Sequence, residues 1–219
     1  MISILIPIYN GIEFINESVQ SVLSQSFTDW ELLIGINGHP QNSTVFHIAK
    51  KFEDNDKRIK VYDFHTIKGK SNTLNEMIKY CKYNYIALLD VDDIWYPNKL
   101  EIQSEFLSNY DVIGSNCVWF GDYEGTIPII PILNISNFDF TKVNPIINSS
   151  SIIKKELCYW YPHFDGVEDY DLWLRLRKQN KQFFNCPEIT VKHRIHRQSA
   201  FNAKGNNNKV YDLLKFHGV

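Results

Sequence analysis

In the first ninety residues, short apolar runs alternate four times with apolar residues at helical spacing, and few folds accommodate that rhythm. Ile2 to Ile6 reads as a strand, and Ile15, Val19, Val22 and Leu23 mark one face of the helix after it. Leu32 to Ile36 is a second strand, followed by Val45, Ile48, Ala49 and Phe52 on a second helix. Ile59 and Val61 alternate as a third, more exposed strand, and Leu74, Met77, Ile78 and Cys81 stripe the next helix. Tyr85 to Leu89 is unbroken apolar sequence, as expected of a strand covered on both faces. Repeated βα units imply an α/β domain with a largely parallel sheet.

The second half is less regular. Val112 to Phe120 and Ile147 to Ile153 read as strands, and Asp169 to Gln179 as a helix with Leu172, Trp173 and Leu176 facing inward. From Gly121 to Pro145 the chain is rich in Pro, Gly and Asn, the composition of a loop region that shapes an acceptor site. The stretch Ala203 to Lys209 is expected to be mobile and Val210 to Phe216 to form a short helix. No internal repeat is visible.

Length and charge bound the function. A chain of 219 residues fits one domain, and 23 cationic against 25 acidic side chains give no basic stripe for nucleic acid. No run of about 18 apolar residues exists to span a membrane. The opening Met1 to Pro7 lacks a basic leader and reaches proline too soon for a secretory segment, so a cytoplasmic protein is expected. Cys81, Cys117, Cys158 and Cys186 are far apart and read as buried thiols. The sequons at Asn42, Asn134 and Asn148 carry no weight without secretion. Oligomeric state leaves no mark in the sequence.

In an open α/β sheet, ligands bind beyond the carboxyl ends of the strands, and those ends are polar here. Strand one runs into Pro7-Ile8-Tyr9-Asn10-Gly11, strand two into Asn37-Gly38-His39, and strand four into Asp90-Val91-Asp92-Asp93. Three carboxylates in four residues suit Mg²⁺ or Mn²⁺, which take one or two protein carboxylates and complete their shell with phosphate oxygens and water. The same acids before Pro97 also suit a helix start. Tyr9 offers a ring for a nucleobase or for packing. Glu168 and Asp169 open an amphipathic helix, where carboxylates cap the helix or serve as a general base. His193-Arg194-Ile195-His196-Arg197 gathers cations and imidazoles able to hold phosphate or complete a metal shell.

Taken in order, these segments resemble the family 2 glycosyltransferases, the inverting group with the GT-A fold. The resemblance runs through Ile6-Pro7-Ile8-Tyr9-Asn10, Ser18 to Phe27, Trp30 to Ile34, and Gly69-Lys70-Ser71 with Asn75. It continues through Asp90-Val91-Asp92 as the DxD motif, Glu168-Asp169, and Arg194-Ile195-His196-Arg197-Gln198-Ser199, covering residues 2 to 200. It implies a Rossmann-like α/β/α sandwich with a mainly parallel mixed sheet. Residues 1–110 would form a nucleotide-binding half and 111–200 an acceptor-binding half, with 201–219 as a tail.

The resemblance further implies transfer of a sugar from a nucleotide-diphosphate sugar, a UDP-sugar, to a glycan, lipid-linked or protein acceptor. Tyr9 would stack on the base, Asp90 approach ribose and metal, Asp92 bind Mn²⁺ or Mg²⁺ directly, Asp169 act as base, and His196 sit by the diphosphate or metal. Pro7, Asn37, Lys70 and Val91 would line the donor site. Two positions depart from the family pattern. Ile36-Asn37-Gly38 stands where two aspartates are usual, so an amide replaces the carboxylate that meets a uracil edge. Leu74 replaces an arginine and removes a cation from the nucleotide pocket. A catalytically impaired donor-binding module is the alternative, and a sugar nucleotidyltransferase a weaker one, because no Gly-rich loop follows strand one.

Overall fold

The computed structural model describes residues 1–196 and 207–218. The four sequence-legible units are present as β1 (Ile2–Ile8), α1 (Ile15–Leu23), β2 (Trp30–Asn37), α2 (Thr44–Asn55), β3 (Ile59–Phe64), α3 (Lys70–Met77) and β4 (Tyr85–Leu88). After them come β5 (Ile94–Trp95), α4 (Lys99–Ser104), β6 (Val112–Gly121), β7 (Leu133–Asn134), β8 (Ile152–Lys154), α5 (Glu168–Lys178), β9 (Phe183–Ile195) and α6 (Asn207–Phe216).

One mixed sheet runs β3-β2-β1-β4-β8-β6-β9-β5, with β7 paired to β9. β1 pairs in parallel with both β2 and β4, and β2 with β3; β8 enters antiparallel between β4 and β6. Side chains alternate across this sheet with a period of two, and both faces are apolar. Ile4, Ile6, Leu32, Ile34, Ala87 and Ile152 pack on one face with Val19 and Val22 of α1 and Ala49 of α2. Leu5, Leu33, Ile86, Leu88 and Ile153 pack on the other with Leu74 and Met77 of α3 and Leu172, Trp173 and Leu176 of α5. An α/β/α sandwich follows directly, and every βα turn opens at the same edge.

Several expectations change in the second half. The stretch read as one strand from Ile147 to Ile153 is a 3₁₀ turn at Asn148–Ser150 and only then β8. The sequence Asn148-Ser149-Ser150-Ser151 explains the break, because serine hydroxyls bond nearby backbone: Ser150 Oγ donates to Ile147 O at 2.8 Å and Ser151 Oγ to Asn148 O at 2.7 Å. The 13-residue β9 lies in sequence that carries Pro187 and Glu188 and lacks alternation. Its register with β6 shifts at Asn116, and Asn116 Nδ2 donates to Pro187 O at 3.1 Å, so the proline is accommodated in a bulge.

Leu213 of the expected C-terminal helix is fully buried among the side chains that pack α5. His217 Nε2 lies 3.0 Å from Asp171 Oδ1, and Lys209 Nζ donates to Asp165 O at 2.7 Å. The stretch expected to be mobile lies mostly outside the described residues; from Asn207 onward it is helix. Cys81, Cys117 and Cys186 are buried and Cys158 half-buried, all as free thiols.

Candidate active site

The carboxyl edge of the sheet gathers the sequence-selected residues. At the end of β1, Tyr9 stands out from the protein at 57% exposure with its ring 5.3 Å from that of His39. Gly38 has φ +72°, and a Cβ there would approach the Tyr9 ring to 3.0 Å, so glycine keeps both the turn and the aromatic shelf. Asn37 is buried at the end of β2, and Pro7 is half-buried opposite Gly35. Val91 is buried, and its Cγ1 fills the space a Cβ on Gly11 would need. Leu74 faces the core beside Leu5 and Met77, so the missing arginine is replaced by packing.

Beside this shelf lies a charge network. Lys70, at the start of α3, places Nζ 2.6 Å from Asp90 Oδ1 and 3.4 Å from Glu168 Oε1. Asn148 Nδ2 donates to the other Asp90 oxygen at 3.0 Å, and Ser149 Oγ accepts from Asp90 N at 3.0 Å. Burial alone would discharge Lys70, but Asp90, Glu168 and Asp169 outweigh it and hold the ammonium firmly protonated. Burial would likewise raise Asp90, yet the Lys70 contact keeps it below the usual carboxylate range.

Asp92 and Asp169 go the other way. Burial, with Asp93 and Asp90 nearby, pushes Asp92 up to about 6 despite its 3.0 Å contact with His196 Nε2. Burial and Glu168 push Asp169 up to about 6 against Lys70 and the Asn144 amide, whose Nδ2 donates to Oδ2 at 3.1 Å. Asp93 instead ties two strands together, accepting from Arg194 N at 2.8 Å and meeting His193 Nδ1 at 3.0 Å. Burial would lower His193, but Asp93 raises it to about 9. Arg194 lies between the rings of Phe14 and Phe120, 4.4 and 4.3 Å from their centroids, and its Nε donates to Asp92 O at 2.8 Å. The end of β9 is thereby locked onto the loop that carries Asp92.

Asp92 Oδ2 and His196 Nε2 meet at 3.0 Å, which brings a carboxylate and an imidazole together from different parts of the chain. That donor set fits Mg²⁺ or Mn²⁺, which accept few protein ligands when phosphate oxygens and water supply the rest. Among the described residues no group of three or more His, Cys, Asp or Glu side chains is placed to hold a metal ion by itself. Asp90 gives both of its oxygens to Lys70 and Asn148. Of the closing sequence motif, Arg197, Gln198 and Ser199 lie outside the described residues.

The model of the family described as Glycosyl transferase family 2 matches residues 3–203. The chain belongs to glycosyl transferase family 2. The enzyme is 30% identical to the Escherichia coli UDP-Glc:alpha-D-GlcNAc-diphosphoundecaprenol beta-1,3-glucosyltransferase WfgD, over 93% of this chain and 81% of that one. Its fold matches Staphylococcus aureus TarS 1-349 in complex with UDP-GlcNAc, with a TM-score of 0.78 at 14% identity over 99% of this chain and 65% of that one. It also matches the Pyrobaculum calidifontis mannosyltransferase PcManGT in complex with GDP-Man and Mn²⁺, with a TM-score of 0.70 at 11% identity over 91% of this chain and 58% of that one. The chain thus spans less than two thirds of either solved structure. The GT-A sandwich is confirmed, as is membership of a glycosyltransferase family.

In this family 2 enzyme the site also contains residues that sequence reading passed over. Asn144, Asn148 and Ser149 reach Asp169 and Asp90 from a segment read as loop and strand. The polar run at 148–151 inside apolar flanks was the signal for Asn148 and Ser149. Phe14 and Phe120, which sandwich Arg194, had none, because aromatic residues at such positions ordinarily mean core.

Proposed function

We propose that this glycosyltransferase moves a sugar from a uridine diphosphate sugar to a hydroxyl of a lipid-linked glycan acceptor, in one inverting, metal-assisted step with Asp169 as general base. The observation that carries the reading is the separation of roles among neighbouring carboxylates. Asp90 is locked in its ion pair with Lys70, while Asp169 accepts from the Asn144 amide and the Tyr170 backbone but forms no close ion pair among the described residues and is raised by burial and Glu168 to about 6, the setting of a carboxylate able to take up a proton near neutrality. The relatives that name UDP-Glc, UDP-GlcNAc and a diphosphoundecaprenol acceptor support the donor and acceptor classes.

In the proposed reaction the Asp169 carboxylate accepts the proton of the acceptor hydroxyl as that oxygen bonds the anomeric carbon. The bond from that carbon to the diphosphate breaks with its electron pair leaving on the nucleotide, so configuration inverts and no sugar becomes attached to the protein. Tyr9 stacks on the base, Asn37 reads its edge, and Pro7 and Val91 shape the floor. Lys70 orients Asp90 toward the ribose while keeping Glu168 paired. Asp92 and His196 would hold Mn²⁺ or Mg²⁺, which neutralises charge developing on the leaving diphosphate when bound. Residues 1–110 supply the donor side and 111–200 the acceptor side.

Calorimetry with a panel of nucleoside diphosphates, with and without Mn²⁺, tests the donor site on wild type and Asp92→Ala. The expected result is metal-dependent binding of UDP that the variant loses. No nucleotide binding by the folded wild type would sink the reading. Donor binding without transfer to any acceptor would return the impaired module.

A further inference from the structure

The loop between β6 and β7 leaves β6 through the exposed Asp122 and Glu124 and is apolar at the surface from there on. No residue from Gly125 to Phe138 is charged, and Ile127 to Leu133 is an unbroken apolar run of seven. Folding does not bury it: Ile127, Ile132 and Leu133 are exposed, and Ile129 is 98% exposed. Single apolar residues scattered on a surface are ordinary, but a contiguous exposed run marks a surface that something else covers.

We propose that this loop seats the enzyme on a lipid bilayer, with the acceptor's lipid anchored in that same bilayer. The inference rests on the lipid-linked acceptor proposed above. Size argues against a second protein copy, because a stable protein interface takes roughly 20 to 30 residues a side, whereas a shallow hold on a bilayer needs a few apolar side chains.

The backbone argues in the same direction. An apolar medium penalises unpaired N–H groups, and Pro128 and Pro131 carry none. The Pro131 carbonyl is taken by Asn185 Nδ2 at 2.7 Å, and Leu133 and Asn134 pair with β9. Placement is the third support. On the β6 side, Asp122 N donates to Ile195 O at 2.8 Å, next to His196. Beyond β7, in the next connection, Asn144 donates to Asp169. A loop held at the headgroup level therefore brings both sides of the active site to the height at which a lipid presents its sugar.

Co-sedimentation with vesicles of phosphatidylethanolamine and phosphatidylglycerol tests this on wild type and on the double variant Ile127→Glu, Ile129→Glu. Wild type is expected to pellet with the vesicles, and the variant to bind about tenfold more weakly or less. Its melting temperature should be unchanged, since Ile129 is almost wholly exposed. The ratio of transfer on vesicle-borne acceptor to transfer on the same acceptor with a water-soluble short chain should fall by a similar factor. Wild type that stays in the supernatant, or a variant that pellets equally, overturns the proposal. So does a wild-type dimer that the variant dissociates, which would assign the loop to a second copy. Vesicle binding with transfer to neither acceptor would overturn the lipid-linked acceptor and leave bilayer docking supported.

Discussion

The two halves of this enzyme hold their shape by different means. From β1 to β4, parallel ladders and apolar alternation dominate: Ile4, Ile34 and Ala87 go to one face, Leu5, Leu33 and Leu88 to the other. From β6 to β9, buried polar side chains take over bonds that a ladder would make. Asn185, fully buried, donates from one amide nitrogen to Pro131 O and Pro145 O, both at 2.7 Å. Ser136 accepts from Phe183 N at 2.9 Å, and the half-buried Asn75 of α3 reaches across to exchange two hydrogen bonds with the Trp160 backbone. Irregular backbone can be buried only where such partners exist. The contrast locates tolerance to change, because the apolar half accepts like-for-like exchange and the polar half does not.

Four measurements bear on it. The largest effect is expected in the second half at Asp169→Asn: kcat should fall by about 10²- to 10⁴-fold while calorimetric donor affinity stays within about twofold. The buried charge disfavours the fold at neutral pH, so the same change should raise the urea midpoint by the equivalent of roughly 1 kcal/mol. Unchanged turnover would remove Asp169 from its role.

Next comes Asn185→Leu, which strands two carbonyls and should cost about 2–4 kcal/mol by urea unfolding; a loss under about 1 kcal/mol would mean that the strap is dispensable. The third is the pH profile. Burial and Glu168 raise Asp169 to about 6, so its base form is present above that pH and its contribution is lost below it. The rate should drop about tenfold for each further pH unit downward, and an Asp169→Asn profile lacking that limb confirms the assignment. The smallest effect belongs to the apolar half: Ile34→Val should cost about 1 kcal/mol by the same unfolding assay, with donor affinity unmoved.

How legible each half was follows from the same physics. Strands β1, β2 and β4 and their helices could be read because one rule, apolar periodicity, decides them. Tyr9, Asn37, Asp90 and Asp92 were visible because strand ends in such a sheet face ligand. β9 was not, since Pro187, Glu188 and the bulge interrupt any alternation. Nor was the link from Asn148 to Asp90, which joins residues 58 apart by a side-chain bond. Asn185 reads as an ordinary polar residue until the two carbonyls beside it are seen.

The Asn185 strap also bears on how such an enzyme diversifies. By gripping the chain at Pro131 and again at Pro145, a single amide fixes where the intervening span leaves the scaffold and where it rejoins it. What lies between is fastened as well: Ser136 bonds the Phe183 backbone, Ile135 and Phe140 are buried in the core, and Asn144 reaches Asp169, so the span is a fitted insert rather than a free loop. An engineer who transplants 132–144 must therefore carry Ser136, Phe140 and Asn144 across with it and keep Asn185 to grip its two ends.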